Sequence, residues 1–253
     1  LGSEMCIRDS SFIMLIAVPI LTMRSMAEER HSRTDQLVLT APVSLGKMIF
    51  GKFLAMVGVF TVAVAVIAVT PLVLAAFGTV PLGENYVAVL GFWLYGCTCI
   101  AVGMLASALT ESQVIAAVVA FAFLFLGYMM NSITGLIGDH LVTKVLGAYD
   151  LYTPLQSFMS GCLDLTGVVY FVSVTGLCLF LTCQCVQKRR WSMTTKKLTT
   201  GMFSVAMIVV GFAVAVAVNL VVKEMPSSWT AVDATSTKLY SLTDTTKDYV
   251  KNL

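Results

Sequence analysis

The densest group of chemically capable residues is TMRSMAEERHSRTDQLVLTAPVSLGKMIFGK, residues 22–52. Within it, Glu28-Glu29-Arg30-His31-Ser32-Arg33 fits E-E-x-x-x-R, a pattern used by membrane proteases. That chemistry also needs histidines at membrane depth, and His31 and His140, the two in the chain, both fall outside its apolar runs. Gly46 to Lys52 fits G-x-x-x-x-G-K, the phosphate-cradling loop of nucleotide hydrolases, but Phe53 stands where a Ser or Thr hydroxyl must meet Mg²⁺. The segment also leads into an apolar run instead of following a strand. ATP hydrolysis by this chain itself is therefore not expected.

Seven cysteines occur, at 6, 97, 99, 162, 178, 183 and 185, five of them in or beside apolar runs. Cys183-Gln-Cys185 lacks the spacing and second ligand pair of a zinc site, so the thiols read as small packing residues and no metal is expected.

The elements that must position the 22–52 cluster are set by composition. Apolar residues make up 58% of the 253 and charged residues 12%, with a mean hydropathy of +0.88. A soluble domain is nearer half apolar and a quarter charged. The excess lies in runs of about 20 residues, the length that crosses a bilayer core. The runs are Ser11–Thr22, Phe53–Val80 with Pro71 as a kink, Tyr86–Leu109, Val114–Met130, Gly167–Val186 and Met202–Val222. The last five contain no Asp, Glu, Lys, Arg or His. Ionisable groups at membrane depth mark ion-coupled carriers and membrane enzymes, so both classes are disfavoured. Thr98, Ser107, Thr175 and Asn219 are the polar exceptions, and helix-to-helix hydrogen bonds account for them.

Two segments are rich in Lys and Arg: 23–52 and 187–197. Positive loops stay cytoplasmic. An even number of runs, four, separates these two, so the charge pattern and the run count agree. The connection 110–113 then lies inside, and 81–85, 131–166 and the tail from Lys223 lie outside. The expectation is an all-α polytopic membrane protein of about six transmembrane helices, the first truncated, in a bacterial inner membrane. An extracytoplasmic domain begins in the tail, where a helix opens after Leu242, capped by Thr243 or Asp244.

In the inner 23–52 segment, Thr34 can cap a short helix with Asp35 and Gln36 in its first turn and Leu37, Val38 and Leu39 after them. Pro42 ends it and Ser44 caps the helix that enters the next run. A short cytoplasmic element with charged and apolar faces, held between two membrane helices, suits docking; an ordinary interfacial helix is the competing reading.

At these residues the chain resembles the permeases of type-2 ABC transporters, in particular the gliding-motility and sodium-efflux branch. The pattern P-x-x-T-M-R … A-E-E … G-T … L-L-x-x-P-V-S … G-K is matched by Pro19, Thr22, Met23, Arg24, Ala27, Glu28, Glu29, Thr34, Leu37, Leu39, Pro42, Val43, Ser44, Gly51 and Lys52. Arg33 stands where the family has Gly. Phe158 to Phe171 resembles the family's outer loop before its last helix.

The resemblance implies a permease of the exporter type, covering 11–191 and lacking its first helix. Residues 23–52 would form the coupling helix gripped by a separate cytoplasmic ATPase, which binds the ATP; the permease needs no cofactor of its own. Glu28, Glu29, Thr34, Asp35, Gln36, Leu37, Leu39 and Pro42 are the expected contacts. A second permease copy or a relative would complete the path, with the lipid bilayer as surroundings and no nucleic acid involved. Residues 192–222 read as a linker and extra membrane helix, and 223–253 as the start of a Gld-type auxiliary domain fused to the permease. The opening residues 1–10 resemble a sequencing-adapter read-through and are set apart, and the chain reads as a fragment. The alternative function is an ATPase-driven membrane anchor for an outer-face machine, without true transport.

Overall fold

The computed structural model describes residues 2–32, 44–77, 82–137, 149–192, 197–223 and 231–233. In these ranges the chain forms α1 (Gly2–Thr22), α2 (Arg24–His31), α3 (Leu45–Ala75), α4 (Leu82–Leu109), α5 (Gln113–Ile137), α6 (Tyr152–Met159), β1 (Cys162–Asp164), α7 (Leu165–Ser192), α8 (Lys197–Lys223) and β2 (Ala231–Asp233). Inside a bilayer only helices and closed barrels satisfy every backbone donor, so long apolar runs become helices. Five are long and apolar enough to cross a membrane: Asp9–Glu29, Leu45–Val73, Leu82–Leu109, Gln113–Gly135 and Leu165–Gln187. A shorter apolar stretch, Met207–Val222, lies in the 27-residue α8 and corresponds to the sixth run. The all-α polytopic expectation holds.

Several boundaries differ from the sequence reading. α1 extends the apolar run Ser11–Thr22 backwards through the polar Gly2–Ser10 into a 21-residue helix, and the candidate span Asp9–Glu29 continues past it into α2. α3 starts at Leu45, eight residues before its apolar run, and continues through Pro71 to Ala75. Ser44 does stand at its start, its carbonyl receiving the amides of Lys47 (3.0 Å) and Met48 (3.4 Å). The mixed segment before α7 holds the end of α5, the short helix α6 and a strand. That strand, β1, pairs antiparallel with β2 beyond α8, with Cys162 opposite Asp233 and Asp164 opposite Ala231. The tail helix expected after Leu242 lies outside the described residues.

α4 is the hub. It packs against α1, α2, α3, α5, α6 and α7, and is buried for most of its length, whereas α3, α5 and α7 show most of their surface outward. Outward side chains such as Val62, Val66, Val118 and Phe123 are apolar, as a lipid-facing surface requires. Helices in lipid gain no hydrophobic drive from packing on each other, so small residues that admit close approach decide which pairs form. On α4 a Cβ at Gly91 would collide with Phe158 of α6, at Gly96 with Phe60 of α3, and at Gly103 with Thr22 of α1. Around these contacts Tyr95, Phe158 and Phe171 are fully buried, with Phe171 6.3 Å from both other rings.

The polar exceptions in the spans do bridge helices. Thr98 Oγ1 of α4 lies 3.1 Å from Thr175 Oγ1 of α7, and Asn219 Nδ2 of α8 donates to Ser173 Oγ of α7 at 2.7 Å. Cys97, Cys99 and Cys178 are buried in the bundle, as packing thiols are.

Candidate functional site

Where α1 ends, a turn at Met23 starts α2, an eight-residue helix carrying the acidic pair. The sequence predicts a polar loop over 24–31, because so short and polar a stretch has no apolar period to announce a helix. Tertiary contacts hold it instead. The amides of a helix's first turn have no partners within the helix. Two of them, Met26 N and Ala27 N, donate to Ser107 Oγ at 3.1 and 3.0 Å, and Ser107 Oγ donates in turn to Met23 O at 3.1 Å. Ser107 is fully buried on the last turn of α4. It therefore does for α2 what an N-cap residue normally does from within the same segment.

A second hold comes from α3. Lys52 Nζ is ion-paired with Glu29, donates to Ser25 O at 3.1 Å and lies 3.9 Å from Met26 Sδ. Gly46, Gly51 and Lys52, the residues of the phosphate-loop pattern, all sit inside the continuous α3, where the amides bond along the helix and cannot cradle a phosphate. The end of α7 closes the same region, with Cys185 Sγ donating to Ala108 O at 3.6 Å. The starts of α2 and α3, the 110–112 connection and the end of α7 thus share one end of the bundle, as the run count expects.

Of the residues singled out in the sequence, Glu28 is exposed on α2 and Glu29 is tied to Lys52. Thr34, Asp35, Gln36, Leu37, Leu39 and Pro42 lie outside the described residues. Two residues that shape the site carried no signal of that role. Ser107 reads in the sequence as a minor polar group within a run, and Lys52 as a loop cation that ends the phosphate-loop and family G-K patterns, with nothing to pair it with Glu29.

No charged group of α3 to α5 or α7 within the apolar runs points to chemistry in the membrane, and among the described residues no group of His, Cys, Asp and Glu could hold a metal ion. The arrangement is a charge-poor bundle of membrane-spanning helices with one short, charged helix docked at its end. Residues 10–218 match the family model of the ABC-2 family transporter proteins, and the chain belongs to that family. It is thus the membrane component of an ABC transporter, a class that works with an ATPase partner. No curated protein and no solved structure matches the chain significantly.

Proposed function

We propose that the chain is the permease of an exporter in the gliding-motility and sodium-efflux branch, coupled to a separate cytoplasmic ATPase through residues 23–52. The observation that carries this is α2: a short charged helix fixed to α4 by Ser107 and to α3 by Lys52, with Glu28 left exposed. Such a helix can be gripped from the cytoplasm and pass movement into the bundle. The α2 end would be cytoplasmic by its charge, the membrane a bacterial inner membrane, and a second copy or a relative would complete the path. Glu28, Glu29 and the segment Thr34–Pro42 would meet the ATPase.

Co-purification of the ATPase subunit with the full chain tests this. Glu28→Lys and Leu37→Asp should each reduce recovery of the ATPase several-fold while leaving the chain monodisperse. Full recovery with both variants would remove 23–52 as the contact.

A second reading, an ATPase-driven anchor for an outer-face machine, is favoured by the β1–β2 pairing, which ties the segment after α8 to the loop before α7. It accords with a fused auxiliary domain after 223. Proteoliposomes containing the complex separate the two: ATP-dependent movement of candidate substrates supports export, and its absence across them supports the anchor.

A further inference from the structure

The turn at Met23 has a cause that the helix sequence does not supply. Interruptions of a helix arise at proline, at small residues, or where a side chain enters the ladder of backbone bonds. Pro19 disturbs the rung to the residue four before it, Leu15, not the rungs that follow. Beyond it the ladder is still intact, with Met23 N reaching Pro19 O at 2.9 Å. The hydroxyl enters at the third and fourth rungs beyond that one. In a continuous helix Met26 N would reach Thr22 O and Ala27 N would reach Met23 O. Instead Ser107 Oγ takes both amides and donates to Met23 O, so one hydroxyl bridges the Met23–Ala27 rung and occupies the amide of the Thr22–Met26 rung.

α4 is shaped for this. Gly103 lies one turn before Ser107 on the same face. Its missing Cβ lets Thr22 close onto α4, since a Cβ there would collide with Thr22 Oγ1. Thr22 Oγ1 itself turns back to Val18 O at 2.9 Å, a bond that favours bending. The last turn of α1 is thus drawn against Gly103 and the first turn of α2 is hooked by Ser107.

We propose that Ser107 is a positioning residue that acts as a wedge. Its insertion sets the angle between α1 and α2, and withdrawing it lets the two join as one helix. The Met23 carbonyl and the Ala27 amide have two alternative partners, the hydroxyl or each other, so the joint has two satisfied arrangements. Movement imposed on α2 therefore becomes movement of α4, the most buried helix. The wedge itself is a property of the chain alone; its use in coupling rests on the function proposed above.

Spin-labelled non-natural residues at the exposed positions Ile16 and Ser32 report the angle and leave the seven cysteines intact. A continuous helix would place these positions about 24 Å apart, and a bent one brings them closer. The full chain is measured alone in lipid, then with the ATPase subunit under ATP and vanadate. Ser107→Ala should lengthen the distance toward the continuous value and abolish the nucleotide-driven change, and Ser107→Thr, which keeps the hydroxyl, should retain both wild-type results. Wild-type distance and response in Ser107→Ala would overturn the proposal. If Ser107→Ala does not fold, hydrogen exchange at the Met26 and Ala27 amides of the wild type decides: a change on vanadate trapping supports the wedge, and unchanged exchange overturns it. Should the ATPase not associate with the wild type, the coupling reading fails, and the distances in the chain alone still decide the wedge.

Discussion

Phe158 of α6 stands against Gly167 of α7, so that a Cβ added at Gly167 would lie 2.8 Å from Phe158 Cε2. The same side chain meets Gly91 of α4, but through its Cβ and the near edge of its ring. One buried aromatic therefore keys α6 between two membrane helices, and the two glycines feel different parts of it.

That difference predicts different rescue. Gly167→Ala should destabilise the bundle by overpacking, about 1–3 kcal/mol, and Phe158→Ala in the same chain should relieve most of that strain by deleting the ring. Gly91→Ala should not be rescued by Phe158→Ala, because the offending Cβ is still there. Thermal unfolding of the four variants in detergent or nanodiscs checks this, and equal rescue at both glycines would contradict the packing.

The Lys52–Glu29 pair is partly exposed, with side chains 24% and 33% accessible. Screening keeps such a pair near about 0.5 kcal/mol, so Glu29→Gln alone should shift stability little. Its structural consequence should be larger than its energy: α2 should exchange amide hydrogens faster while the core of α4 does not. The swap Glu29→Lys with Lys52→Glu should restore slow exchange if the pair acts as a strap.

Asp150, one residue before the N-cap position Leu151, serves the first turn of α6, its Oδ1 accepting from Tyr152 N at 3.0 Å and Thr153 N at 3.1 Å. Asp150→Ala should cost about 1 kcal/mol, and Asp150→Asn, which retains an acceptor oxygen, a few tenths. Protease nicking near 149–153 in intact proteoliposomes should follow that order.

α8 is docked and not a free tether. Asn219 bonds Ser173, and a Cβ at Gly211 would lie 2.8 Å from Phe180. Gly211→Leu should therefore separate α8 from α7, and Asn219→Leu should weaken the contact by about 0.6 kcal/mol, the usual worth of a hydrogen bond between membrane helices. In a chain with its native cysteines replaced, a short thiol cross-linker between Ser173→Cys and Asn219→Cys should join α7 and α8 and lose yield when Gly211→Leu is added. Undiminished yield would show that α8 holds its place by other contacts.

Much of this architecture can be read from the chain unfolded on the page. A bilayer demands about 20 apolar residues per crossing and charges sort to one side, and both rules act locally, so runs, parity and membrane class follow from counting. The 22–52 pattern likewise carries its resemblance to ABC permeases in a continuous stretch, and the family match agrees with it. The acidic pair is legible for the same reason. What holds that segment to the bundle is not legible there. Ser107 is 81 residues from Met26, Lys52 is 27 from Ser25, and β1 meets β2 across all of α7 and α8. Such pairings depend on how each helix is rotated, which is settled by whether a glycine at 91, 96 or 103 admits a neighbour. In spans that are apolar all round, no periodicity announces the inward face. The sequence by itself determined the number and apolarity of the helices, because each crossing is a local run; only the packing of α1, α3 and α4 decided that Ser107 and Lys52 hold α2 in place, because those contacts join residues far apart in the chain.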